Sequence, residues 1–287
     1  RRPRMGAEPI SRREVRAAAR RRSDRRNALI AAVSTLIVIG GGVALVVTRQ
    51  GWPVVEETFF SPEAFRTSFP DILRGFWIDV KLFLAVEVLV LILSLGVALV
   101  RSSRGSVLFP FRLLAVVYAD LFRGIPTILV VYLVGFGVPA LALPGVPNDP
   151  IVLAAIALTL SYVAYVSEVF RAGIDSVHPG QRGAALAVGL SRTQAMRFVI
   201  LPQAVRNVVP PLLNDFISLQ KDVALVSVLG IVEAFRVAQI DAASTFNYTP
   251  LLAAASLYVL VTVPLALLLD HLQARDRSRR RLEEARR

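Results

Sequence analysis

The chain has 287 residues, 55% of them hydrophobic, and a formal net charge of +12. That is too apolar for a soluble domain and leaves room for several spans of about twenty apolar residues each. Cysteine is absent and His178 and His271 are the only histidines, which excludes disulfides, thiolate metal sites and a His-rich metal centre. The only lysines, Lys81 and Lys221, do not stand between a Gly and a Ser or Thr. The chain therefore has no phosphate-binding loop of its own, and any ATP it depends on is bound elsewhere. The arginines crowd the two ends and the loops expected to share a side with them. That distribution follows the positive-inside rule and argues against a nucleic-acid surface.

In chain order, residues 1–27 form an Arg-dense stretch without apolar period, expected to be disordered or to lie on anionic headgroups. Residues 28–48 read as a retained first span rather than a secretory signal, because no small-residue cleavage site follows the apolar run. Residues 49–75 are rich in Phe and Trp, as an extracytoplasmic segment lying on the membrane surface would be. The second span is expected from Phe76 to Val100, with Arg101 and Arg104 at its cytoplasmic end. Asp120 and Arg123 suit no bilayer centre, so Phe109–Phe122 is placed partly in the cytoplasmic interface and the third span starts near Ile125. A proline-rich outside turn, Pro139 to Pro150, leads to a fourth span from Ile151 to Phe170. The fifth runs from Val205 to Gly230; residues 231–248 form an outside segment, a short re-entrant or surface helix. Thr249 to Leu269 is the last span, and a charged cytoplasmic tail follows. The expectation is an all-α integral membrane protein with about six transmembrane helices and both termini in the cytoplasm.

Between the fourth and fifth spans lies a polar segment, Glu168 to Pro202, with legible punctuation. Pro179-Gly180 breaks the helix leaving the fourth span. A short helix of small residues follows, from about Gln181 to Val188, and Gly189 suits a left-handed stop. Ser191 with Gln194 three residues on makes a capping box for the next helix, which Pro202 ends or kinks. Two helices joined at a stiff, small-residue knuckle outside the bilayer are shaped to enter a groove on another protein.

This segment resembles the cytoplasmic loop of ABC importer permeases, whose pattern is Glu-Ala-Ala, three residues, Gly, nine residues, an aliphatic, one residue, Leu-Pro. Ala184, Ala185, Gly189, Val199, Leu201 and Pro202 stand at the matching places, while Gly183 replaces the family's Glu. The flanks narrow the likeness to permeases of polar amino acid importers: Ala164-Tyr165, Glu168, Arg171, Gly173, Pro179-Gly180-Gln181 and Gln203-Ala204, with Arg123-Gly124 and Pro126 upstream. The resemblance covers roughly residues 70 to 275. It implies a five-helix permease core over 76–270, with a coupling loop at about 171–202, one extra N-terminal span and a charged tail at 271–287.

The resemblance implies the transmembrane permease subunit of an ATP-driven importer for polar amino acids in a bacterial inner membrane. The implied partners are two cytoplasmic ABC ATPase subunits, a second permease chain, identical or related, and an extracytoplasmic amino-acid-binding protein, with membrane lipid around the spans. Gly183, Ala184, Ala185, Gly189, Leu190 and Ser191 are the implied ATPase contacts. Candidates for the substrate path are Ser161 and Tyr165 on the fourth span and Asn214, Ser218, Lys221 and Asp222 on the fifth. The fifth-span set recurs at i, i+4 and i+7 or i+8, so it shares a helix face. Intramembrane ionisable groups usually face the bundle interior or serve function, and interhelical pairing, for instance Lys221 with Glu87, is the competing role. A secondary transporter and a non-transporting membrane anchor are the alternative functions.

Overall fold

The computed structural model describes the backbone of residues 12–102 and 105–284, and the side chains of 26–102 and 105–274. The expectations for residues 1–11, Arg104 and the last three residues lie outside the described residues. Two compact units are present, Arg1–Thr58 and Phe59–Arg287. The first holds helix α1 (Arg12–Val47) and nearly all of α2 (Trp52–Phe59). Helix α1 already begins within the basic stretch expected to be disordered, and its apolar part, Arg26–Val47, exposes every side chain, as a lipid-facing span requires.

The second unit contains α3 (Pro62–Ser102), α4 (Phe109–Gly124), α5 (Thr127–Ala140), α6 (Pro150–Asp175), α7 (Pro179–Ala187), α8 (Arg192–Ala195), α9 (Leu201–Asp222), α10 (Ala234–Thr245) and α11 (Thr249–Glu284). Among the described residues of the chain, four helical stretches are long and apolar enough to cross a membrane alone, and two bent pairs raise the number to six. One pair is α4 with α5, bent by 107°. Pro126 explains the bend: its ring pushes the preceding residue out of the helical region, and Ile125 sits at φ −101°, ψ 129°. With 14 residues, α5 is about 21 Å long, short of a ~30 Å hydrocarbon core, so part of the crossing falls to its neighbours.

Helix α3 is one 41-residue helix from Pro62, so the segment expected to lie on the surface is continuous with the second span. Helix α6 is the axis of the unit and packs against α3, α4, α5 and α9. Several of its inward positions are small, Ala154, Ala157, Ser161, Ala164 and Ser167, which lets neighbouring helices approach closely there. Around it Leu82, Val86 and Val90 of α3, Val130 and Val131 of α5 and Leu219 of α9 complete the core. A second cluster joins Ile72 and Phe76 of α3 to Ala234 and Ala238 of α10 and to Ala253, Ala254 and Leu257 of α11.

Residues 231–248 hold α10, which buries Ala234, Ala238 and Ala242 along one face; of the two alternatives expected there, the bend that precedes it suits the re-entrant one better than a surface helix. The fifth span reaches Gly230 as expected, but not as a regular α-helix throughout. It tightens to a 3-10 turn at Val223–Leu229, ends at Gly230 with φ +81°, and bends 53° into α10. Glu233, fully buried, caps α10 by accepting the N–H groups of Phe235 (2.6 Å) and Arg236 (2.8 Å). The Tyr258 hydroxyl lies 2.8 Å from Asp79 Oδ2, to which it donates, and 3.5 Å from Glu233, tying α3, α10 and α11 at one point.

Candidate functional site

The knuckle is built as its punctuation implies, with two adjustments. Helix α6 stops at Asp175, before the proline; Pro179 instead takes the first position of α7, where a missing N–H costs nothing. His178 caps that helix, its Nδ1 accepting Gly180 N–H at 3.0 Å. At the other end Gly189 adopts φ +88°. Leu190 N–H donates to Ala185 O (3.1 Å) and Gly189 N–H to Leu186 O (3.0 Å), the paired bonds of a Schellman stop. Ser191 and Gln194 form the capping box reciprocally, at 2.9 and 3.2 Å.

The second adjustment is at Pro202, which does not end the helix. A wider π turn over Met196–Ile200 carries α8 into α9 just ahead of the proline. Widening removes the clash between the proline ring and the preceding turn. The Gln203 side-chain amide donates to Val199 O at 2.9 Å and lies 3.4 Å from Gln181 Oε1, joining α9 to α7.

Orientation divides the implied contact residues. Gly183, Ala184, Gly189 and Ser191 are exposed and Leu190 is half-buried. Ala185 is turned inward, 5% exposed, toward the side where α7 packs on α8 and the π turn. Its methyl group packs within the knuckle rather than on its outer face. The outward apolar face carries Leu186 and above all Val188, 78% exposed, which the sequence reading passed over.

On α6 and α9 the path candidates also separate. Ser161 is fully buried in the core of this chain. Tyr165 is half-buried and its hydroxyl is 3.4 Å from Arg123 O. Asn214 and Lys221 are exposed and Ser218 half-buried on one face of α9. Lys221 forms no ion pair with Glu87 or any other group among the described residues. Asp222 turns to α6 instead, accepting the Tyr162 hydroxyl at 2.8 Å. The adjacent pair is thus split: the anion anchors a neighbouring helix and the cation faces outward.

Toward the knuckle, a cleft of about 350 Å³ opens between α6, α9 and the end of α4, lined by Arg123, Tyr165, Glu168, Ser176, Asn207 and Asp215 among others. Asn207 Nδ2 donates to Ser176 Oγ at 2.8 Å across it. Asp215 was missed in sequence because its neighbours Asn214 and Ser218 fit the exposed stripe better. Glu168 forms ion pairs with Arg101 (2.8 Å), Arg123 (3.7 Å) and Arg171, and Arg171 also meets Asp175 at 2.6 Å.

Up to six crossings among the described residues, with a capped two-helix knuckle following α6, define a multi-pass membrane protein. The sequence profile described as "Binding-protein-dependent transport system inner membrane component" matches residues 91–278. The chain belongs to that family and is a permease subunit of an ATP-driven importer. It is 38% identical to the arginine transport system permease protein ArtQ of Bacillus subtilis over 68% of this chain and 87% of that one. It is 34% identical to the probable amino-acid permease protein YxeN of the same organism, over 71% and 90%. It is also 34% identical to the putative glutamine transport system permease protein GlnP of Rickettsia felis, over 66% and 86%. Among solved structures, an amino acid ABC transporter crystallised with histidines superposes with a TM-score of 0.65 at 32% identity, covering 72% of this chain and 94% of that one.

Proposed function

We propose that this permease carries polar amino acids, with ATP bound and hydrolysed by separate cytoplasmic subunits that grip the knuckle at α7. The observation that carries this reading is the knuckle's geometry. A nine-residue helix, locked at both ends by His178 and the Gly189 stop, presents Leu186 and Val188 outward. A small rigid apolar projection is what a groove on a partner can hold at low ordering cost. The substrate class is supported by relatives named for arginine, glutamine and amino-acid transport. The permease domain is residues 76–270, with the knuckle and both termini in the cytoplasm and the first span an addition. A second permease chain faces the exposed side of α9, where Asn214 and Lys221 meet the path, and an extracytoplasmic binding protein delivers the substrate.

The test is Val188→Asp. Burying an unpaired carboxylate in a partner's groove costs on the order of several kcal/mol. The variant should insert and fold normally, since Val188 is exposed, yet fail to retain ATPase subunits through purification. Full retention would remove α7 as the docking element.

A further inference from the structure

The knuckle is covalently continuous with α6 before it and with α8 and α9 after it, so its displacement must enter the bundle through one of these. On the α6 side an unbroken line of charge contacts starts at its root. Asp175, the last residue of α6, meets Arg171; Arg171 meets Glu168; and Glu168 meets both Arg101, at the end of α3, and Arg123, at the end of α4. No other carboxylate among the described residues pairs with three arginines.

The two outer limbs differ. Arg101 is 8% exposed in its side chain, and Glu168 is its sole ion-pair partner among the described residues, so loss of that carboxylate leaves a buried cation uncompensated. Arg123 is 40% exposed, stands at 3.7 Å and also lines the polar cleft, so it is the looser limb. Next to this junction the Tyr118 hydroxyl of α4 donates to Leu160 O of α6 at 2.6 Å, a contact that fixes separation but carries no charge. Charge-assisted contacts are shorter and stronger than neutral ones and hold two helix ends in register as one moves.

We propose that Glu168 is the positioning residue that passes displacement of the knuckle from α6 to α3 and α4. This rests on the docking role given to α7 above. Without the carboxylate, α6 can follow the ATPase subunits while α3 and, through the bend at Pro126, α5 lag behind, so ATP is spent without moving substrate.

The experiment reconstitutes the full complex, with its ATPase subunits and binding protein, in proteoliposomes supplied with radiolabelled arginine, glutamine, glutamate and histidine. Uptake per ATP hydrolysed is measured. Glu168→Gln, which keeps shape and removes charge, should retain the ATPase subunits and hydrolyse ATP while uptake per ATP falls about tenfold. Glu168→Asp should recover most of the ratio, a rescue that a purely packing role would not give. Arg123→Gln leaves the buried Arg101 limb paired and should lower the ratio by about threefold. A wild-type ratio in Glu168→Gln overturns the proposal, as does an equal defect in Glu168→Asp. If Glu168→Gln fails to assemble, a wild-type ratio in Arg123→Gln overturns it, and a lowered one supports it. Retention of ATPase subunits by Val188→Asp would instead defeat the docking role, so the two failures are separable.

Discussion

Gly75 lies where α3 crosses the start of α10, and a methyl group there would have nowhere to go. A Cβ would sit 2.7 Å from Ala234 N, 2.7 Å from the Glu233 carbonyl carbon and 3.0 Å from Ala234 Cα. These are backbone atoms, so no rotamer change relieves the contact, and the helices must part by roughly 0.7 Å to reach ordinary van der Waals distance. Overpacking of this kind costs about 1–3 kcal/mol, offset by about 1 kcal/mol from the better helix propensity of Ala. The same shift pulls at the Glu233 cap and at the Asp79–Tyr258 bond beside it. These two terms leave Gly75→Ala a net loss of ~0–2 kcal/mol, to which the strained cap adds. Thermal unfolding of the purified complex in detergent, followed by the fluorescence of Trp77 two residues away, measures it. Gly96→Ala, in the same helix with nothing within 4 Å, should be neutral or slightly stabilising. Gly135→Ala meets the Leu229 side chain, Cδ2 at 2.3 Å, Cδ1 at 2.7 Å and Cγ at 3.0 Å; a side chain can turn aside where backbone cannot, so its loss should be below that of Gly75→Ala. If Gly75→Ala unfolds together with Gly96→Ala, the close crossing of α3 and α10 is wrong.

Tyr162→Phe removes the hydroxyl that Asp222 accepts and should lower stability by about 1–3 kcal/mol. Adding Asp222→Asn should then cost little more, and additive losses in that double-mutant cycle would deny the coupling. Lys221→Met should leave assembly and ATPase retention intact, because Lys221 is exposed and forms no ion pair among the described residues. Uptake should nevertheless fall by about tenfold or more, and wild-type uptake would take Lys221 out of the path.

What could be read from the sequence was what is local in sequence. The Gly189 stop and the Ser191–Gln194 box depend on residues within one turn of each other, and both stand in the structure as expected. The split between Lys221 and Asp222 follows from the ~100° that separates adjacent residues on a helix; which partner took Asp222 did not, since Tyr162 lies sixty residues away. The inward turn of Ala185 was illegible because Gly183, Ala184 and Ala187 are as small as it is, and the larger apolar residue Leu186 points outward. The choice between a re-entrant and a surface helix for α10 was open for a related reason: its contact stripe is Ala234, Ala238 and Ala242, which pack closely yet signal weak hydrophobicity. The Glu168 junction joins the ends of three helices, and nothing in the spacing of Arg101, Arg123 and Glu168 marks them as neighbours.

In the proposed function, ATP hydrolysis by partner subunits drives polar amino acids through this chain. The decisive test is uptake of radiolabelled amino acids into proteoliposomes holding the complete complex, with ATP inside or outside and with no ion gradient. Uptake is expected only when ATP reaches the knuckle side and loaded binding protein is on the opposite face. Uptake by the chain without ATP or ATPase subunits, driven by an imposed ion gradient, would contradict it.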